Sequence, residues 1–219
     1  WTATLLARDQ YGTDVPDATV RVRYLDEEWF VPGTAVSLPK GYKAYIQGAV
    51  PNNATGPGAD YVFTDGLDEI NPGFWTVAIA ARDQNGVNVP DATVRLRYVG
   101  KEWYTAGETT TTPKGFKVYV QGKVPNVTGP GYYVTLTDGV TEIDPGFQTF
   151  SVTCRAGDDT VAPDGLGYLR YVGGQYYADS ETATVPLDDT IDTKSRRLAL
   201  YANVYDKIVF GDGVDVFDA

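Results

Sequence analysis

Residues 8–24 read RDQYGTDVPDATVRVRY and residues 82–98 read RDQNGVNVPDATVRLRY, so thirteen of seventeen positions are identical at an offset of 74. A unit copied in tandem constrains the fold more than composition does. It argues for an array of small modules, not for one bespoke domain around an active site. Trp1, Pro16, Trp29 and Lys40 recur as Trp75, Pro90, Trp103 and Lys114.

A third copy has drifted. Residues 148–178 align without a gap on 75–105, which puts Pro163, Arg170, Tyr171 and Tyr177 on Pro90, Arg97, Tyr98 and Tyr104. The alignment then places seven extra residues, 187–193, ahead of Lys194, which falls on Lys114, and drops the equivalent of 125–130. Terminal units of an array are often atypical in this way. The repeat gives three domains, 1–74, 75–147 and 148–219, each long enough for a small core.

The formal charge is −11, divided as −5, 0 and −6 over the three units. Nucleic acid is excluded as a partner, because phosphates reward a basic face. An acidic surface suits solubility and attracts divalent cations. There is no Met, so residue 1 is not a translation start, and a removed secretory signal is expected. No run of about 18 apolar residues exists that could span a membrane. A single Cys leaves no internal disulfide.

Gly, Pro, Tyr and β-branched residues dominate, with no helical period, and the expectation is all-β. In the second unit, Trp75, Val77, Ile79 and Ala81 alternate with Thr76, Ala78, Ala80 and Arg82 as a half-buried strand. A turn stretch, 84–90, follows, then a strand with Val94 and Leu96 inward, a short one at 102–104, and a longer one with Val118 and Val120 inward. Another lies within 131–137, and a short closing strand at 141–143 after the Asp138-Gly139 turn. Six or seven short strands in so few residues make a two-sheet sandwich. Between units stands Ile70-Asn71-Pro72-Gly73-Phe74, repeated as Ile143-Asp144-Pro145-Gly146-Phe147. So short a link containing Pro is no loose tether, and Phe74 and Phe147 are expected to wedge into the junctions of a stiff rod.

The phrase Asp83-Gln84-Asn85-Gly86-Val87-Asn88-Val89-Pro90-Asp91-Ala92-Thr93-Val94, with its copy from Asp9 to Val20, resembles the first hairpin of bacterial and archaeal immunoglobulin-like repeats. These occur in invasin-type adhesins, S-layer-associated proteins and filament subunits. The third unit keeps only Pro163-Asp164 of it. The motif fits a turn and carries no chemistry of its own. The resemblance therefore implies three tandem immunoglobulin-like β-sandwiches in a cell-surface setting, not an activity.

The candidate chemistry is sparse. The chain has no His, which removes Ser-His-Asp, Cys-His and His-metal arrangements together. Carboxylate pairs remain, but glycosidase chemistry needs two of them facing across a cleft, which small sandwiches without long insertions rarely offer, so no enzyme is expected. Cys154 falls on the inward phase of a first strand, where Ala7 and Ala81 stand, and reads as a buried small hydrophobe. Asn53-Ala54-Thr55 and Asn126-Val127-Thr128 are N-glycosylation sequons, each just before Gly-Pro-Gly. Asp65, Glu69 and Asn71 recur as Asp138, Glu142 and Asp144, oxygen ligands at a junction that could hold Ca²⁺; the bland alternative is a solvated hairpin. Asp188, Asp189 and Asp192 form a weaker cluster. Trp29 and Trp103 precede Phe30 and Tyr104, so one of each pair faces the core. Tyr45 and Tyr119 point outward beside lysines, as a contact surface would.

The reading is a secreted, non-enzymatic structural protein, a subunit of a surface filament, tube or layer. Its homopolymer would grow head to tail through Trp1 at one end and Asp212, Phe217 and Ala219 at the other. The alternatives are an adhesin stalk, or a carbohydrate-binding accessory module of a secreted enzyme with surface glycans as partners.

Overall fold

The computed structural model describes residues 1–23, 29–51, 54–97, 99, 101–125, 127–153, 160–161, 163, 166–169, 175–187, 200–201 and 216–218. All regular elements among them are β-strands. The first repeat holds β1 (Thr2–Leu5), β2 (Thr19–Val22), β3 (Trp29–Phe30), β4 (Ala35–Ser37), β5 (Lys43–Val50), β6 (Ala54–Thr55), β7 (Ala59–Val62) and β8 (Glu69–Ile70). The second holds β9 (Phe74–Ile79), β10 (Thr93–Arg97), β11 (Trp103–Thr105), β12 (Thr109–Pro113), β13 (Lys117–Val124), β14 (Val127–Thr135) and β15 (Glu142–Ile143). The third holds β16 (Phe147–Thr153), β17 (Leu166–Leu169), β18 (Gln175–Ala178), β19 (Thr182–Pro186), β20 (Leu200–Tyr201) and β21 (Val216–Asp218).

The same pair of sheets is drawn three times. The small sheets run β4-β1-β8, β12-β9-β15 and β19-β16-β21. In each, the central strand is antiparallel to one neighbour and parallel to the other, as in Thr2 opposite Ser37 and Leu5 opposite Ile70. The larger sheets run β3-β2-β5-β6 with β7 also on β5, β11-β10-β13-β14, and β18-β17-β20.

By its internal contacts the chain divides into two compact units, 1–79 with 96–119 and 133–143, and 80–95 with 120–132 and 144–219. The boundary runs through β10, β13 and β14, so each unit contains one whole junction between consecutive repeats. In the first unit, Ala3, Leu5, Val20, Val22, Ala44, Ile46, Phe63 and Ile70 form one core cluster. Val77, Ile79, Leu96 and Val118 are buried there too. In the second unit Val94, Val120, Phe150, Ala183 and Val185 are buried. Arg97 and Lys117 are exposed and Arg95 half-buried. The inward and outward phases therefore stand as the alternation predicts; a one-residue slip would exchange them. Val15-Pro16-Asp17-Ala18 and Val89-Pro90-Asp91-Ala92 turn through left-handed Asp17 and Asp91, both at φ 60°. The N–H of Ala18 and of Ala92 points back to the Val carbonyl at 3.4 Å. Pro ahead of a left-handed residue is a type II turn.

Two readings of the sequence need correction. The strand reading passes over 109–113, which forms β12 and pairs with residues 74–78 of β9. Four threonines and a proline lack the apolar alternation that marks the other strands. The third-repeat alignment is also shifted. Pro186 lies opposite Phe147 as Pro113 lies opposite Phe74. The Leu187 N–H donates to the Gly146 carbonyl at 3.0 Å, as Lys114 does to Gly73 at 3.1 Å. Leu187, and not Lys194, stands in the place of Lys114, so the extra residues follow position 187.

Candidate functional site at the repeat junctions

The Pro-Gly-Phe link is anchored in the repeat that precedes it. Phe74 is buried against Ala7, Val15 and Ala18, with Val50 beside them. A Cβ on Gly48 would stand 2.8 Å from the Phe74 Cζ and 3.2 Å from Pro72 Cγ. Phe147 is fully buried over Gly122 in the same way, at 3.0 Å and with Pro145 Cγ at 3.1 Å. Only glycine leaves room for the ring there. Asn71 fixes the link's direction. Its Oδ1 accepts the N–H of Arg8 at 3.2 Å and of Gly73 at 3.1 Å, and its Nδ2 donates to the Arg8 carbonyl at 3.3 Å. Asp144 accepts from the N–H of Arg82 and Gly146 at 3.3 and 2.9 Å, and replaces the amide donor by an ion pair with Arg82 Nη1 at 3.6 Å. Tyr61 and Tyr132 donate their hydroxyls to the carbonyls of Asn71 and Asp144 at 3.0 and 3.1 Å. Burial raises the Tyr61 pKa, which keeps that donor protonated.

A glutamine then clamps the next repeat. Gln10 lies in the Asp9-Gln10-Tyr11-Gly12 turn. Its Nε2 donates to the Thr76 carbonyl at 2.6 Å, and its Oε1 accepts the Thr76 N–H at 2.8 Å. One primary amide thus pairs with both backbone groups of a β9 residue, as a neighbouring strand would. Asp9 adds a bond from Thr76 Oγ1 at 2.9 Å. Gln84 repeats the pairing on Thr149, accepting its N–H at 2.8 Å and donating to its carbonyl. The turn motif, read from sequence as free of chemistry, carries the contact between repeats.

The Gly-Pro-Gly loop supplies the second contact. A Cβ on Gly56 would meet Pro113 Cβ at 2.4 Å, and one on Gly115 would meet Pro57 Cγ at 2.9 Å. Proline and glycine interlock across the joint. Gly129 takes Pro186 in the same way, at 2.5 Å. Gln47 and Gln121 hold the loop by donating to the carbonyls of Gly56 and Gly129 at 3.2 and 3.1 Å. Gly56 and Gly129 are buried, so this stretch is a docking piece, not a plain surface loop. An apolar groove of about 300 Å³ lies alongside the first junction, lined by Val15, Pro16, Val50, Pro51, Val99 and Tyr104 among others.

Trp75 is 8% exposed and Trp1 is 42%. Each ring carries a lysine over its face, Lys114 at 5.4 Å and Lys40 at 5.3 Å. The same lysines bind Asp138 and Asp65, at 2.9 and 2.8 Å. The recurrence of Trp with Lys in sequence is therefore a contact.

The proposed calcium ligands are not gathered. Asp65 and Asp138 face lysines, Asn71 and Asp144 turn to the link backbone, and Glu69 is 4.0 Å from Arg8 Nη1. Among the described residues no group of three or more acidic or thiol side chains could hold an ion. Asn53 and Asn126, Cys154, Asp188, Asp189, Asp192, Asp212 and Ala219 lie outside the described residues. Phe217 is placed in β21, opposite Val152. Phe30 packs on the core and Tyr104 is buried, so Trp29 and Trp103 are the outward partners. Tyr45 and Tyr119 lie under Arg23 and Arg97 at 5.0 and 5.3 Å, and Tyr133 meets Tyr119 edge-on at 5.1 Å with Lys117 over it.

Sequence reasoning missed Gln10, Gln84, Gly48, Gly122 and Pro113 as junction residues. The signal was present, since each recurs in register, but the partner of each lies far off in sequence, in the link or in the neighbouring repeat.

No protein-family model matches the chain, and no curated protein matches it in sequence. Solved structures to which it is similar include the Bacillus anthracis TIE protein, at 10% identity over 99% of this chain and 49% of that one, with a TM-score of 0.26. Others are a streptococcal ancillary pilin, at 12% identity over 100% and 98% with a TM-score of 0.26, and a C-terminal fragment of the pilus adhesin SpaC from Lactobacillus rhamnosus GG, at 10% over 74% and 95% with a TM-score of 0.22. The chain spans about half the length of the TIE chain. Scores at this level carry no argument, so the functional reading rests on the junctions. Among the described residues no helix is long and apolar enough to cross a membrane.

Proposed function

We propose that the chain is a non-enzymatic structural segment of an extracellular surface assembly: three immunoglobulin-like repeats held at fixed joints and engaging neighbours through domain ends. The observation that supports this reading is the duplicated joint. Glutamine clamp, glycine-seated phenylalanine and proline–glycine interlock recur from one junction to the next, residue for residue. Such joints cost sequence freedom at positions remote from any pocket, and they return stiffness. A catalytic module has no need of a second copy of its own hinge.

Small-angle X-ray scattering, with electron microscopy of the native surface labelled against the chain, tests the proposal. Expected are a maximum dimension that Gln10→Ala plus Gln84→Ala broadens, and label on the cell exterior. A distribution of dimensions that the double variant leaves unchanged, or label confined to the cell interior, refutes it.

A second reading has one specific support. Tyr119 and Tyr133, with Arg97 and Lys117 stacked over their rings, form a mixed aromatic and cationic surface, which suits an acidic glycan. Binding on a glycan array that Tyr133→Ala abolishes would favour it.

A further inference from the structure

The first repeat carries a receiving face identical in plan to the faces that the second and third repeats press against their predecessors. Thr2 and Ser37 join hydroxyls at 2.6 Å, as Thr76 joins Thr111 at 2.8 Å and Thr149 joins Thr184 at 2.9 Å. Pro39, Lys40 and Gly41 stand where Pro113, Lys114 and Gly115 stand. The difference lies in cover. Trp1, Thr2, Ser37, Pro39 and Gly41 are all exposed, while Trp75 and Pro113 are buried and Thr76, Thr111 and Gly115 partly so.

The complementary outgoing end is not found on all repeats. It needs the Asp-Gln turn, a glycine under the link phenylalanine, and the Gly-Pro-Gly loop. In the third repeat the gapless correspondence puts Gly157 in the place of Gln84. Leu200 and Tyr201 pair with Leu169 and Tyr168. In the first repeat Val22, the equivalent of Leu169, pairs with Ile46. The residue two beyond Ile46 is Gly48, and the residue two beyond Leu200 is Ala202. The Gly-Pro-Gly loop is deleted from the third repeat's sequence altogether.

We infer that the face made by Trp1, Thr2, Ser37, Pro39 and Gly41 is a docking face for the outgoing end of a repeat of the first two repeats' kind, tethered through Pro-Gly-Phe, and that the third repeat of a second copy does not fit it. The tether is part of the inference. Three hydrogen bonds and two proline–glycine contacts, the set made at the first junction, are too few to offset the entropy of joining two free molecules, whereas a short link makes the second contact intramolecular. The inference rests on the structural reading above and sharpens it. Assembly through domain ends has a polarity, set by the outgoing end.

The test adds a copy of residues 75–147 directly ahead of Trp1 in the full chain, which recreates the Pro-Gly-Phe-Trp sequence found at 72–75. Hydrogen exchange at the Thr2 amide is the readout, because Thr76 N–H is the group that Gln10 caps. Exchange at Thr2 should slow at least 10-fold, with Thr76 unchanged as the internal standard of folding. Gln84→Ala within the added copy should return most of that slowing. The unmodified chain should sediment as a monomer to millimolar concentration. No slowing at Thr2 while Thr76 stays protected overturns the inference. So does slowing that survives Gln84→Ala, or self-association of the unmodified chain that Thr2→Pro abolishes. None of these outcomes bears on where the protein resides, so failure here is separate from failure of the surface reading.

Discussion

Replacing Gly48 by Ala should destabilise the first repeat, and the damage should vanish when Phe74 is also cut to Ala. A methyl at 48 would sit 2.8 Å from Phe74 Cζ and 3.2 Å from both Phe74 Cε1 and Pro72 Cγ. Overpacking a well-filled site costs about 1–3 kcal/mol. Gly48 is not at positive φ, so the backbone itself tolerates Ala. Phe74 is 1% exposed, and truncating such a ring costs about 3–5 kcal/mol through lost burial and the cavity left behind. If the two effects were independent they would add. They share one space, so the double variant should be no worse than Phe74→Ala alone, a coupling of about 1–3 kcal/mol in its favour. Residue-resolved hydrogen exchange at the core amides of Val20 and Ile46 reports the opening free energy of this repeat undiluted by the others. Additivity within about 0.5 kcal/mol would show that the ring and the glycine do not meet, and would refute the seated-phenylalanine account of the junction. The same cycle at Gly122 and Phe147, where the closest approach is 3.0 Å, should show a smaller coupling of the same sign.

Other perturbations follow from the same contacts. Asp144→Ala removes the acceptor for two link N–H groups and the Arg82 ion pair, and should lower stability by about 1–3 kcal/mol in urea unfolding, whereas Asp144→Asn should cost less, since Asn does this work at position 71. Glu108 has its pKa lowered from 4.5 to about 2, by the hydrogen bond from Lys101 and then by those from Thr105. Its folded pKa lies below the unfolded one, so its stabilisation is complete above about pH 4.5 and is lost as pH falls toward 2; thermal unfolding of Glu108→Gln should lack this component of the acid slope. Asp91→Gly, at a left-handed position, should raise stability by up to about 1 kcal/mol, and Asp91→Val should lower it by at least as much, measured by thermal melts. Chelator should leave the melting temperature unchanged, because Asp65 and Asp138 already face lysines; a fall on adding EDTA would return these carboxylates to the role of ligands.

Most of one repeat's interior could be read from its letters. Val77, Ile79, Val94, Leu96, Val118 and Val120 declare their faces by alternation, and all are buried. Phe74 and Phe147 stand out because a large apolar residue ends a Pro-Gly link. What stays hidden is contact at a distance. Gln10 looks like any polar turn residue, since its partner Thr76 is 66 positions away. Gly48 reads as a weak spot in a strand, and only the ring above it gives the reason. β12 is silent for a related cause. Its threonines pair along β9, with only Thr110, Thr112 and Pro113 buried, and period-two patterning in a run of identical residues cannot be seen.

The duplication still leaves a usable trace, in what the third repeat keeps and loses. It keeps the Thr149–Thr184 pair and Pro186, of which Thr149 takes the glutamine and Pro186 the glycine of its predecessor. It loses the Trp and Lys of the stacked pair together, as Gln148 and Leu187. Loss of both members leaves neither an uncovered ring nor an unpaired cation. Leu187 Cδ1 instead lies 3.0 Å from a notional Cβ on Gly146, so an apolar contact replaces the lysine stem at the same joint. The glutamine and the Gly-Pro-Gly loop are also gone from this repeat, and both belong to an outgoing end. Random drift would erode the two ends alike. Retention of the receiving end beside loss of the outgoing one is what a one-directional joint produces.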